Sequence, residues 1–239
     1  MTRIAMWSGP RNISTALMRS FENRTDCVVT DEPFYAHFLH KTGTDHPLRE
    51  EIIKSRNTDW KKVVDEITGP IPGGKNIWYQ KHMAQHNLPG DDLNWVEKLK
   101  NCILIRHPKE VMLSYLEKYE IKSENQLGYH QQRKLYAMLE SLDKAPFVLD
   151  AADILKDPEG MLKKLCKKLT IPFYNEMLSW PAGSRGSDGI WGRHWYGNVE
   201  ASTEFQPNAK KKGKISSKYQ YVYSACMESY EKLYSDRLQ

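Results

Sequence analysis

The sequence predicts a single α/β domain, with a mostly parallel sheet of about five strands flanked by helices. Short apolar runs rich in β-branched and aromatic residues recur along the chain, as expected of strands buried on both faces. Segments with the apolar spacing of amphipathic helices lie between and after these runs. No internal repeat, low-complexity tract or Gly/Ser linker divides residues 1–239, so we predict one domain.

The first predicted strand covers residues 3–7 and stops at Ser8-Gly9-Pro10. Each of the other runs is brief and apolar at consecutive positions, which is typical of strands in a parallel sheet. These further strands are predicted at residues 27–30, 76–79, 102–105 and 147–149.

The first predicted helix follows the turn after residue 7 and extends through residue 24, with Leu17 and Phe21 four positions apart. Another begins at Pro108, because proline is favoured at the first helical position. Further helices are predicted over residues 135–142, from Asp157-Pro158, and over about 218–234, whereas 173–213 is predicted to be a long loop region.

Composition limits the function classes. Lys+Arg of 35 against Asp+Glu of 30 gives a net charge of +5, which suits an anionic ligand but falls short of a dedicated nucleic-acid binder. No run reaches the roughly 18–20 apolar residues of a membrane span, and the N-terminus lacks a signal-peptide pattern. The 4 cysteines form no CxxC pair, so we expect neither a disulfide framework nor a zinc site, and we expect a cytoplasmic protein.

Residues 8–15 form the first cluster with binding chemistry, where a strand ends and a helix begins. Backbone amides at a helix start, the Arg11 side chain and the hydroxyls of Ser14 and Thr15 could hold an anionic group. The Walker pattern GxxxxGK[ST] is absent. The alternative is an ordinary strand-to-helix turn with a serine cap.

Two more clusters follow. Arg106 closes a strand and Ser114 lies on the next helix, so both could converge on a second phosphate; the alternative is a structural ion pair for Arg106. Residues 210–214 contain four lysines, and such a run is usually a solvated face.

In this order, the three clusters resemble the 3′-phosphoadenosine 5′-phosphosulfate (PAPS)-dependent sulfotransferases. Residues 9–19 resemble the loop that binds the 5′-phosphosulfate, particularly the PR-SGTT-LMR form of the tyrosylprotein enzymes. Residues 105–115 are similar to the 3′-phosphate motif RxPxxxxxSY. Residues 80–89 resemble the KTHL…LP segment, and 153–173 resemble the EDL…DPE…IPF stretch. The resemblance covers most of the chain.

The resemblance implies a P-loop-like sulfotransferase fold, PAPS as the donor co-substrate and no metal. The implied donor-binding residues are Gly9, Pro10, Arg11, Asn12, Ile13, Ser14 and Thr15 for the 5′-phosphosulfate, and Arg106, Ser114, Lys211, Lys212 and Gly213 for the 3′-phosphate. Ile13 departs from the family pattern, because a glycine usually occupies that position.

The implied catalytic residues are Arg11, which would stabilise charge on the leaving phosphate, and a general base. His82 matches the histidine base of the small-molecule enzymes. Glu32 is the alternative base, since the tyrosylprotein enzymes use a glutamate in the comparable region; it could equally be an ordinary turn carboxylate. His82 and His86 are four apart, but no HExxH pattern accompanies them and we predict no metal site.

We therefore predict a sulfotransferase that moves a sulfuryl group from PAPS to a hydroxyl or amine of a small-molecule acceptor, without a nucleic-acid partner. Two alternatives stay open: a nucleotide-dependent kinase or phosphotransferase, and a non-catalytic nucleotide- or nucleic-acid-binding module built on residues 210–214. The aromatic run 180–196 is either packing under a loop or an acceptor wall. The sequence does not identify the acceptor or the oligomeric state.

Overall fold

The computed structural model describes residues 1–207 and 213–239 and has a five-stranded parallel sheet in the order β2-β3-β1-β4-β5. The strands are β1 (Thr2–Ser8), β2 (Cys27–Asp31), β3 (Ile77–Met83), β4 (Lys100–Ile105) and β5 (Phe147–Asp150). The predicted α/β class and parallel sheet are confirmed. Only β3 differs much from its predicted run, because it continues through three polar residues that are buried.

Helices connect and flank the strands. Of the eleven helices in the described ranges, five lie where the sequence predicts helix, whereas those within residues 35–68, 151–156 and 192–200 were not predicted. The helices are α1 (Ser14–Glu22), α2 (Tyr35–Thr42), α3 (Arg49–Ser55), α4 (Trp60–Thr68), α5 (Pro108–Tyr115), α6 (Tyr129–Glu140), α7 (Ala151–Lys156), α8 (Pro158–Leu169), α9 (Gly192–Trp195), α10 (Gly197–Glu200) and α11 (Gln220–Ser235). Proline is the first residue of α5 and α8, and Asp157 caps α8 by accepting from the Gly160 amide at 2.9 Å.

The sheet divides the core into two layers, because successive side chains of a strand point to opposite faces. In β1, Ile4 and Met6 pack with residues of α1 and α8 on one face. Ala5 and Trp7 pack with residues of α4, α6 and α11 on the other face. The face of the sheet to which a side chain points therefore decides which of the two core layers it joins.

The carboxyl ends of the strands meet at one edge of the sheet. Ser8 is in register with Met83 of β3 and with Leu104 of β4, and Asp31 of β2 is in register with Lys81. In a parallel sheet, ligands bind beyond this edge, so the candidate site is expected there.

The segment from 173 to 207 was predicted to be a loop, but it holds the short helices α9 and α10. Its buried aromatic side chains, Trp180, Trp191, Tyr196 and Phe205, hold it against the rest of the protein. No helix within residues 1–207 and 213–239 has the length and apolar content to cross a membrane.

Candidate functional site

The turn between β1 and α1 leaves the start of the helix open. Arg11 and Ile13 both adopt left-handed conformations, with φ of 62° and 54°. Ile13 precedes the helix and gives it no side-chain cap, so the serine cap of the alternative interpretation is absent from α1. In the part of the chain that the structure describes, the amides of Ser14 and Thr15 have no acceptor. An uncapped helix start of this kind offers its N–H groups and its positive dipole end to an anion.

Gly9 and Asn12 shape this loop from its buried side. A Cβ on Gly9 would lie 2.3 Å from the carbonyl oxygen of Leu127, so only glycine fits there. The Asn12 amide donates to the Leu104 carbonyl oxygen at 3.1 Å and the side chain is buried. Asn12 therefore fixes the loop to β4, whereas Pro10, Arg11, Ile13 and Thr15 are partly exposed.

Arg106 joins the second cluster to the loop. Its Nη1 donates to the Arg11 carbonyl oxygen at 2.8 Å, and its Nε lies 3.0 Å from Glu110 Oε2. The Tyr129 hydroxyl donates to the Arg106 carbonyl oxygen at 2.6 Å. The remaining nitrogen, Nη2, has no hydrogen-bond partner among residues 1–207 and 213–239. Arg106 thus supports the loop and keeps one donor for a ligand.

Ser114 lies in the last turn of α5 and is partly exposed. A Cβ on Gly213 would lie 3.2 Å from Leu113 Cδ2, so the chain passes beside α5 at this point. Lys211 and Lys212, which the resemblance assigns to the same phosphate, fall outside the described residues. Arg106 directly follows β4, Ser114 lies near the end of the helix that comes next, and Gly213 contacts that helix through Leu113.

A buried cluster of charged groups lies where β2 and β3 end. Lys81 Nζ is 2.9 Å from Asp31 Oδ1, 2.6 Å from Glu32 Oε1 and 2.6 Å from the Tyr196 hydroxyl. Burial raises the pKa of Glu32, and Asp31 adds to that rise against the opposing effect of Lys81. Burial alone would lower the pKa of Lys81, but the two carboxylates outweigh it and raise that pKa. Lys81 therefore stays charged between two carboxylates.

His82 is adjacent to Lys81 in β3 and consequently points to the other face of the sheet. Its ring stacks on Trp7 with centroids 4.3 Å apart, and Nε2 lies 3.2 Å from Gln80 Oε1. Burial lowers the pKa of His82 to about 3. In the KTHL pattern one residue separates lysine and histidine, which places both on one face; here none does. The structure therefore does not bring the predicted base His82 to the Glu32–Lys81 cluster.

Two tyrosines interact electrostatically with this cluster and with Arg11. Burial and the Glu32 carboxylate raise the pKa of Tyr35, which also interacts electrostatically with Tyr115. Burial raises the pKa of Tyr115, and Arg11 acts against that rise. Within residues 1–207 and 213–239 no carboxylate pairs with Arg11.

The aromatic run 180–196 divides into packing and surface. Trp180 packs in the layer of α1 and α8, and Trp191 is fully buried. Trp195 is partly exposed, with its ring 4.9 Å from that of Tyr119. The Tyr119 hydroxyl lies 2.6 Å from the exposed His194 ring. Only this second group could form an acceptor wall.

Buried polar contacts attach the same segment to the sheet. Arg19 Nη2 of α1 lies 2.6 Å from Asp188 Oδ2, and the Gly189 amide donates to Asp31 Oδ2 at 3.2 Å. Asp31, Lys81 and Tyr196 form a cluster with Glu32 that sequence reasoning missed as a group. For Asp31 and Lys81 the available signal was a charged residue inside an otherwise apolar strand, because such residues are buried only when they are paired.

No set of three or more His, Cys, Asp or Glu side chains in the described ranges could hold a metal ion.

The sequence is similar to one family of known proteins and to two plant proteins. A sequence profile of the family described as "Sulfotransferase domain" matches residues 2–235. Two Arabidopsis thaliana proteins, branched-chain-amino-acid aminotransferase-like protein 1 and protein 2, are 40% identical over 208 residues and 38% identical over 210 residues. These matches cover 87% and 88% of this chain but 37% of each relative, so the chain spans about a third of their length.

Solved structures share the fold. The sulfotransferase domain of the Synechococcus PCC 7002 olefin synthase gives a TM-score of 0.59 at 16% identity, covering 97% of this chain and 94% of that one. A sulfotransferase from Alicyclobacillus acidocaldarius gives 0.57 at 13% identity, covering 100% and 97%.

Proposed function

Because the chain belongs to the sulfotransferase domain family, we propose that it transfers a sulfuryl group from PAPS to a hydroxyl or amine of a small-molecule acceptor. The observation that carries the proposal is the link between an uncapped helix start and Arg106 at one edge of the sheet. Arg106 Nη1 donates to the Arg11 carbonyl oxygen at 2.8 Å, within the turn that leads into α1, and its Nη2 has no hydrogen-bond partner in the described ranges. A donor with a phosphosulfate at one end and a phosphate at the other requires two anion sites.

The donor's 5′-phosphosulfate would bind the amides of Ser14 and Thr15 and the Arg11 guanidinium. Arg106, Ser114 and the segment that includes Gly213 would bind its 3′-phosphate. During transfer the bond from sulfur to the bridging oxygen breaks and negative charge develops on the leaving phosphate. A fixed cation and a helix start stabilise that charge without reorganising.

Glu32 is the base that this geometry favours. As the bond from the acceptor oxygen to sulfur forms, the acceptor's proton passes to the Glu32 carboxylate, and the adenosine bisphosphate leaves. The raised pKa of Glu32 makes it a stronger proton acceptor than an exposed carboxylate. His82 is buried on the opposite layer and cannot reach an acceptor without moving the core. A small-molecule acceptor and a cytoplasmic location stay predictions.

Thermal unfolding with adenosine 3′,5′-bisphosphate tests the donor site, with AMP and with ADP plus Mg²⁺ as controls. A ligand that binds only the folded state stabilises it by about 2.7 kcal/mol at one hundred times its Kd. We expect a clear shift with the bisphosphate and little with AMP. Equal shifts with AMP, or a larger one with ADP and Mg²⁺, would contradict the proposal. Transfer of radiolabelled sulfate from PAPS to a set of alcohols and amines then tests the reaction.

A further inference from the structure

The hydroxyl of Tyr196 lies at the centre of the buried charge cluster, although 115 positions separate it from Lys81. It accepts hydrogen bonds from Lys81 Nζ at 2.6 Å and from Trp191 Nε1 at 3.1 Å. It donates its one proton to Asp31 Oδ2 at 2.7 Å, while Glu32 Oε1 is farther away at 3.4 Å. Every bonding position of the hydroxyl is therefore used.

The ammonium of Lys81 is equally occupied. Its three N–H groups have three acceptors, namely Asp31, Glu32 and the Tyr196 oxygen. The Lys81 side chain is only 2% exposed, so no solvent could replace a lost partner. Without the Tyr196 oxygen, one N–H would be left unpaired and the ammonium would lose its fixed position between the two carboxylates.

The two carboxylates differ in how fully they are bonded. Asp31 receives Lys81 on one oxygen, and Tyr196 and the Gly189 amide on the other. Glu32 uses only Oε1, and its Oε2 accepts no hydrogen bond from residues 1–207 or 213–239. Asp31 is thus the permanent counter-ion of Lys81, and Glu32 keeps one oxygen for a proton from outside.

The titratable groups that face Glu32 come from four places: Asp31 of β2, Lys81 of β3, Tyr35 of α2 and Tyr196 between α9 and α10. Burial and Asp31 raise the pKa of Glu32, whereas Lys81 and the Tyr196 hydroxyl lower it. Burial and the two carboxylates raise the pKa of Tyr196 well above its ordinary value, so it stays a neutral donor.

We propose that Tyr196 is a positioning residue for the acceptor-activating base: it holds Lys81 and Asp31 in the arrangement that leaves Glu32 ionised with one oxygen free. This inference rests on the proposed function, because it concerns the base of that reaction. Trp195, the preceding residue, lies against Tyr119. The turn that contributes Trp195 to the candidate acceptor wall therefore also carries Tyr196, which would orient Glu32.

The test is an infrared titration of the Glu32 carboxyl in the ligand-free protein, assigned by the band that Glu32→Gln removes. In Tyr196→Phe, we expect the midpoint to move to higher pH than in the wild type. The acid limb of kcat/KM should move with it, lowering kcat/KM at pH 6 by about 3- to 10-fold with an unchanged KM for PAPS. Tyr230→Phe is the matched control, because it also removes a buried hydroxyl that donates to a carboxylate, Asp150 at 3.0 Å. It should leave both readouts unchanged.

An unmoved Glu32 midpoint in Tyr196→Phe would overturn the positioning role. The titration needs no turnover, so a protein without sulfuryl transfer would refute the proposed function and still give a reading here. If Tyr196→Phe does not fold, fluorotyrosine at position 196 keeps the hydroxyl and strengthens it as a donor. The Glu32 midpoint should then fall to lower pH, and a midpoint that stays constant would again overturn the proposal.

Discussion

Lys81→Met removes the cation that Asp31 and Glu32 share. The Lys81 Nζ lies 2.9 Å from one carboxylate and 2.6 Å from the other, and both of those side chains are buried. Removing one partner of a buried ion pair costs about 3–5 kcal/mol, because the other charge is left unpaired. We expect Lys81→Met to lose about that much free energy of unfolding at pH 7.5.

The loss should depend on pH in a defined direction. Methionine cannot neutralise the carboxylates, so one of them takes up a proton and its pKa rises above that in the unfolded chain. The folded variant then binds more protons than the unfolded one, and its stability falls as pH rises. One extra proton corresponds to about 1.4 kcal/mol per pH unit, so the loss should be about 2–3 kcal/mol larger at pH 7.5 than at pH 5.5.

Urea unfolding followed by tryptophan fluorescence at both pH values measures this difference. Lys163→Met is the matched control, because Lys163 forms an exposed ion pair with Glu159 in α8. Such a pair contributes about 0.5 kcal/mol or less at either pH. A Lys81→Met protein with the control's small loss, or with an equal loss at both pH values, would refute the paired-cluster argument.

Three further predictions follow from the site. Glu32→Gln should lower kcat by about 10²–10⁴-fold, whereas His82→Gln should keep kcat per folded molecule within about 3-fold of wild type, because a side chain in the opposite layer takes no proton from the acceptor. Steady-state kinetics corrected for the folded fraction measures both values. A larger loss of kcat in His82→Gln than in Glu32→Gln would restore His82 as the base. Arg106→Gln should weaken binding of adenosine 3′,5′-bisphosphate by about 10- to 100-fold, because a charge-assisted hydrogen bond is lost. Binding of AMP should be nearly unchanged, and calorimetry measures both affinities. An equal loss of affinity for AMP would contradict the role of Arg106 in binding the 3′-phosphate. Gly9→Ala should destabilise the protein by about 1–3 kcal/mol, because the new Cβ meets a backbone carbonyl, while Gly186→Ala, with open space around it, should be neutral in the same urea titration.

Most of the fold could be predicted because its signals are local. A strand buried on both faces gives a continuous apolar run, as residues 102–105 do, and proline marks the starts of α5 and α8. The polar end of β3 could not be predicted in this way. Lys81 and His82 are buried only because distant segments cover them, and no local pattern records that contact.

The elements that carry Arg106 and Ser114 were predictable, because the end of β4 and the start of α5 are marked locally by an apolar run and a proline; their role in binding a phosphate stays a prediction. The sheet face to which His82 points was not predictable from the sequence. Neighbouring residues of a strand point to opposite faces, so a shift of one position moves this side chain from the Glu32–Lys81 cluster into the core. Tyr196 could not be assigned at all, because its segment has no periodicity and its partners lie on β2 and β3.

The position of β1 in the middle of the sheet has a consequence for folding. Its partners are β3, which begins at Ile77, and β4, which begins at Lys100, whereas β2 pairs only with β3. A chain synthesised at about 5–20 residues per second leaves β1 without a partner for about 4–15 seconds. During that time its apolar residues are free to meet other chains. Folding of this sheet should therefore be slow, dominated by long-range contacts, and helped by any chaperone that holds the first strand.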